Sequence, residues 1–175
     1  SGHIGVIYEK DIGLYTSDTM RDCLNKVKEC DVLVLYLSNK AGSFLKDKPW
    51  TATYAEYREA VNSDLIVIPI VEDHVLEGYT SHMRNRILKA VNTYREKHDR
   101  HPDTFEIVKS ITNNSSPDDD LLERINKYDV DLFIWAFIHD VYSNSWAERY
   151  ALSESMVATE FVKTSLSQIL RMSKK

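Results

Sequence analysis

A chain of 175 residues, 43 % apolar and 28 % charged, is long enough to bury one core, and its net charge of −5 is modest. Its basic residues form no dominant patch beyond the short tail Arg171-Met-Ser-Lys-Lys175, so nucleic acid is not an expected partner. No signal peptide and no apolar run of about eighteen residues appears, which excludes an expected membrane span and fits a cytoplasmic domain.

In chain order, Ile4-Gly-Val-Ile-Tyr8 reads as a short strand and Glu9 to Ser17 as a loop containing Gly13. Asp18 or Thr19 then caps a helix running to about Cys30. Met20, Cys23, Leu24, Val27 and Cys30 recur at three- and four-residue steps and form its apolar face. Cys23 and Cys30 lie on that one face and are expected to be buried thiols, not a disulfide. Asp31-Val-Leu-Val-Leu-Tyr-Leu-Ser38 follows, a nearly continuous apolar run of the kind found in parallel strands buried on both faces. A loop from Asn39 to Trp50 carries Gly42, Ser43 and Pro49. The segment Thr51-Ala-Thr-Tyr-Ala-Glu-Tyr-Arg-Glu-Ala-Val61 supplies threonine caps and helix formers, and Leu65-Ile-Val-Ile-Pro-Ile-Val71 is a second buried strand. Two consecutive strand-loop-helix units argue for a parallel sheet with helices on its faces. The second helix starts at the carboxyl ends of the strands, where open α/β sheets bind ligands, so Glu56 is expected beside the site.

The second half is more helical. Tyr79 to Asp99 is a good amphipathic helix, His98-Asp-Arg-His-Pro-Asp103 a polar connector, and Thr104 to Ile111 an alternation that fits strand or helix. Asn113-Asn-Ser-Ser-Pro-Asp-Asp-Asp120 is the strongest linker signal and opens a helix from Leu121 to Tyr128. Val130-Asp-Leu-Phe-Ile-Trp-Ala-Phe-Ile138 is expected to be the last buried strand, with a helix as the alternative. A long helix from about Ser145 to Met172 closes a single α/β domain, with a core over about residues 3–140 and a helical C-terminal extension.

Over roughly residues 3–75 the pattern resembles a TIR (Toll/interleukin-1 receptor) domain. The resemblance rests on the order of glycine-containing loop, amphipathic helix, strand ending in Ser38, aromatic-containing loop, helix with an early Glu, and Ile-Val-Ile-Pro-Ile strand. The segment Tyr54-Ala-Glu-Tyr-Arg-Glu-Ala60 is also similar to TIR-like domains of unknown function at the front of bacterial signalling and defence proteins. Nucleoside deoxyribosyltransferases share the architecture more distantly. TIR-like domains open with a strand and helix ahead of the segment corresponding to Gly2–Tyr8, so this chain starts at what looks like their second strand. The fold implied is a flavodoxin-like, TIR-like open parallel sheet flanked by helices.

What the resemblance implies about activity is cleavage of the nicotinamide–ribose bond of NAD, with NAD as substrate and no cofactor, and association of copies with one another. That bond breaks through an oxocarbenium-like transition state, so a carboxylate near the ribose stabilises the developing charge, and the neutral nicotinamide leaves without an obligatory general acid. Glu56 has the matching position and Glu59, one turn later, is the fallback. The competing reading of Glu56 is a solvated or structural carboxylate, since the macrodipole favours acids in first helical turns and a surface Glu followed by Arg is common. Trp50 and Tyr54 are candidate ring-stacking residues, although Tyr54 and Tyr57 also have the spacing of helix-to-sheet packing, and Ser38 and Ser43 could hydrogen-bond phosphate or ribose. The alternatives are a non-catalytic TIR-like self-association module, and a nucleoside or nucleotide-sugar glycosidase of the deoxyribosyltransferase type using the same Glu as nucleophile. His98, Asp99, His101 and Asp103 meet no zinc spacing, so no metal is expected. Neither a P-loop nor a nucleophile elbow is present in the sequence.

Overall fold

The computed structural model describes residues 17–112, 117–144, 151–152 and 164. The strand expected at Ile4–Tyr8 and most of the loop after it lie outside them. Helix α1 (Ser17–Lys28) begins one or two residues before the expected cap, a difference no larger than the usual scatter in helix ends. Met20 and Cys23 of its apolar face are buried and Leu24, Val27 and Cys30 half-buried, and both cysteines are free thiols.

Strand β1 (Val32–Leu37), helix α2 (Ala52–Asn62) and strand β2 (Ile66–Glu72) form the strand-helix-strand unit read from the sequence. The strands pair in parallel, with Val32 opposite Ile66 and Leu37 opposite Val71. A short β3 (Ala151–Leu152) pairs in parallel with the far end of β2, giving the order β1-β2-β3. The protein is therefore α/β, a small parallel sheet flanked by helices, and mostly helical. The extended pair at Ala151–Leu152 corrects the expectation of an unbroken helix from about Ser145. The rest of that predicted helix, apart from Thr164, lies outside the described residues.

Burial on both faces holds for β2, where Ile68, Pro69, Ile70 and Val71 are consecutively buried, but not for β1. Leu33, Leu35 and Leu37 face the main core, whereas Val34 and Tyr36 on the other face are 44 % and 56 % exposed. An apolar run leaves the number of covered faces open, because the neighbours decide it. Among the described residues β1 is the edge of the sheet.

Beyond β2, helix α3 (Asp73–Gly78) passes through a π-helical turn at Tyr79–Met83 into α4 (Arg84–His98). The amphipathic helix expected over Tyr79–Asp99 is thus present and starts six residues earlier, at Asp73. Its buried stripe is Val75, Tyr79, Met83, Ile87, Ala90 and Val91. Asp103 opens α5 (Thr104–Ile111) with a reciprocal capping box to Glu106, which settles the strand-or-helix ambiguity there as helix. Asp118 caps α6 (Asp119–Tyr128) through Leu121 N at 2.9 Å.

The segment expected as the last strand is instead helix α7 (Leu132–Asn144). Residues 132–141 are buried without a break, and a helix that is apolar all round belongs in the interior. Periodicity cannot separate such a helix from a doubly buried strand, since both read as one apolar run. Trp135 of α7, fully buried, donates from Nε1 to the Val75 carbonyl at 3.0 Å and lies against Gly78. A Cβ added at Gly78 would meet Trp135 Cζ2 at 2.8 Å. Gly78→Ala is therefore expected to destabilise the protein by about 1–2 kcal/mol, overpacking outweighing the better helix propensity of alanine. Urea unfolding checks this; a variant more stable than the parent would show that the indole yields freely. Among the described residues no helix is long and apolar enough to cross a membrane.

Candidate functional site

Helix α2 carries three of the expected site residues, Tyr54, Glu56 and Glu59. Its entry is set by Thr51, 1 % exposed, whose side chain accepts from Tyr54 N at 3.2 Å. The cap leaves no acidic residue in the first turn and puts Glu56 in the second. Favourable interaction with the helix dipole fades beyond the first turn, so it does not account for Glu56.

The helix presents two chemically different faces. Ala52 and Ala55 pack with Met20 of α1, Leu24 and Trp50. Glu56 lies half-buried on this side, close enough to Cys23 that its charge adds to burial in pushing the Cys23 thiol upward. Glu59, a turn further on, is 3.6 Å from Lys28 Nζ of α1 and accepts from Ser63 Oγ at 3.4 Å. The fallback carboxylate is thus engaged as a link between α1 and α2.

The opposite face points to α7. Tyr54, fully buried, donates from Oη to Asp140 Oδ2 at 2.9 Å and accepts from Thr104 N at 3.3 Å and Arg58 Nη1 at 3.4 Å. Tyr57 donates to the Asp140 carbonyl at 3.3 Å, and Arg58 Nη1 lies 3.8 Å from Asp140 Oδ2. Burial pushes the Tyr54 hydroxyl up to about 12 and raises the Asp140 carboxyl, the latter against the lowering effect of the Tyr54 hydrogen bond. A recess of about 140 Å³ opens here, lined by Tyr57, Arg58, Val61, His101, Pro102 and Asp140. Glu56 is not among its walls.

The other sequence-based candidates are distributed around the β1–α2 loop. Ser38 is half-buried directly after β1, and Ser43 is exposed with its carbonyl accepting from Ala52 N at 3.4 Å. Trp50 is half-buried, edge-on to Tyr54 at 5.6 Å, and donates from Nε1 to Asp103 Oδ2 at 3.3 Å. Tyr54 has no exposed ring face and packs edge-on against Phe133 and Phe137 of α7, in place of the expected helix-to-sheet packing. Asp140 and His139, both in α7, lie just past the run Val130–Ile138 that reads as a core strand, so the sequence does not single them out as site-forming; an imidazole and a carboxylate directly after so apolar a run are the available signal. Among the described residues no group of His, Cys, Asp and Glu could hold a metal ion.

Comparison with known proteins adds one finding. No curated protein and no solved structure matches the chain. Residues 1–126 match a family described as a domain of unknown function (DUF4062). With well over half of the 175 residues matched, the chain belongs to this family.

Proposed function

We propose that this chain is a TIR-like, NAD-cleaving domain of a cytoplasmic bacterial immune or signalling protein, with Glu56 as the essential carboxylate. One observation carries the reading. Glu56 is a half-buried carboxylate in the second turn of α2, within a parallel strand-loop-helix-strand unit, where the helix dipole gives no reason for an acid. Partial desolvation strengthens the interaction of such a carboxylate with a positive charge developing on a ribose ring. Cleavage of the glycosidic C–N bond releases neutral nicotinamide; water adds to the oxocarbenium carbon and gives ADP-ribose and a proton.

Nicotinamide release from NAD by concentrated protein, followed by chromatography, tests the reading. Release is expected in the parent, and a loss of about 10²-fold or more in Glu56→Gln, with Glu59→Gln much less affected. An unchanged rate in Glu56→Gln would remove the carboxylate from the mechanism. The second reading, a self-association module without catalysis, is favoured by the exposure of Val34, Tyr36 and Ile66 on one face of the sheet. It predicts concentration-dependent oligomers in sedimentation and no nicotinamide release. Cleavage of nucleosides in place of NAD would point to the deoxyribosyltransferase-type alternative.

A further inference from the structure

The loop after β1 is tied to a part of the chain some ninety residues away. Asp131, in the turn between α6 and α7, accepts from Ala41 N through Oδ2 at 2.9 Å, while its own backbone N–H donates to the Asn39 carbonyl at 2.9 Å. Next to it, Asp129 receives Lys40 Nζ at 2.7 Å on Oδ1 and Asn39 Nδ2 at 3.1 Å on Oδ2. Asp129 closes α6 in the left-handed region, φ 48°, a conformation Asp tolerates better than most residues, and so delivers the chain to Asp131. The loop has its own left-handed residue beside the contact, Gly42 at φ 78°.

An aspartate immediately before a helix commonly turns its carboxylate to that helix's first N–H groups. Asp131 immediately precedes α7, yet Oδ2 is engaged across the fold by Ala41. The two contacts on Asp131 are backbone to backbone and carboxylate to backbone N–H, short and partly buried, whereas the Lys40–Asp129 pair is largely exposed and contributes little. Residues 38–43 follow the carboxyl end of a parallel strand, the edge from which ligands are bound in such sheets.

From this geometry we infer that Asp131 is a positioning residue: it holds the 39–41 backbone so that the Ser38–Ser43 loop is preformed for the nucleotide. The inference rests on the NAD-cleaving reading. It also gives the second half of the chain a role at the site, since the residue that shapes the loop comes from the α6–α7 turn.

The test compares the parent, Asp131→Ala and Asp131→Asn in nicotinamide-release kinetics, with backbone amide exchange over residues 39–45 and thermal melting alongside. Asp131→Ala is expected to raise KM for NAD about tenfold with kcat within about twofold, and to speed exchange in that segment. Asp131→Asn keeps an oxygen that can accept from Ala41 N and is expected to restore most of the parental KM. A KM unmoved in Asp131→Ala overturns the role of Asp131, whether or not exchange rises. Equal losses in the Asn and Ala variants overturn it too, because the acceptor geometry would then be irrelevant. A parent that releases no nicotinamide overturns the NAD reading and this role together, which separates that failure from a failure of Asp131 alone.

Discussion

Replacing Asp140 with alanine is expected to lower the unfolding free energy by about 3 kcal/mol, the cost of leaving the buried Tyr54 hydroxyl without its acceptor and Arg58 without the charge it faces, while the backbone carbonyl that accepts from Tyr57 is kept. Asp140 is fully buried, yet three side chains of one helix reach it: Tyr54 and Tyr57 by hydrogen bonds and Arg58 at 3.8 Å. The alanine would strand the Tyr54 hydroxyl, which is 0 % exposed, and remove the charge that faces the Arg58 guanidinium. Asp140→Asn retains an acceptor for Tyr54 and is expected to cost only about 1 kcal/mol. Equilibrium urea unfolding measures both; an alanine variant within about 0.5 kcal/mol of the parent would show that Tyr54 finds another partner. Because these contacts fix α2 against α7, Asp140→Ala is also expected to disturb the helix that carries Glu56.

Lowering the pH from about 6.5 to about 4 is expected to cost the folded state roughly 3 kcal/mol through His139 alone. Its imidazole is 4 % exposed and shares a 2.8 Å hydrogen bond between Nδ1 and the Tyr79 hydroxyl. Burial first, and the charges of His101 and Arg84 second, hold it down to about 4, against an ordinary value of 6.5. The unfolded chain therefore binds a proton that the folded chain refuses, so stability is full above 6.5 and falls toward 4. Two carboxylates act differently. Glu106, lowered to about 2 chiefly by its hydrogen bond from Arg100, contributes above 4.5 and loses that contribution below it. Asp140, raised by burial, favours the folded state as it takes up its proton and so opposes the trend. Unfolding curves for the parent and His139→Gln at pH 7 and pH 5 isolate the histidine: the variant is expected to flatten the dependence, and an equal slope in both would exclude His139 as its source.

The β1–α2–β2 unit was legible in the sequence because each element there carries its own local signal. Thr51 caps α2, the apolar runs around Leu35 and Ile68 are strand-length, and the loop between them is polar. The amphipathic stripe of α4 and the aspartate-rich start of α6 were legible for the same reason, whereas the cap at Asp103 was not, because its segment reads as a polar connector before a strand or a helix. The run at 130–138 misled, since a helix buried on every side shows no amphipathic period. Among the site candidates, Glu56 was legible as a carboxylate on α2. Its partial burial beside Cys23 was not, because that depends on how α1 docks.

By itself, then, the order of residues determined the local grammar: where helices begin, which faces are apolar, and that two strands flank a helix bearing Glu56 and Glu59. Tertiary structure alone decided that Tyr54 serves as a buried donor to Asp140, that Glu59 links to Lys28, and that Ala41 is held by Asp131. The physical reason is range. Caps and periodic faces act within a turn or two of the chain, whereas the Tyr54–Asp140 and Ala41–Asp131 bonds join residues 86 and 90 positions apart, which meet only after α2, α6 and α7 have packed.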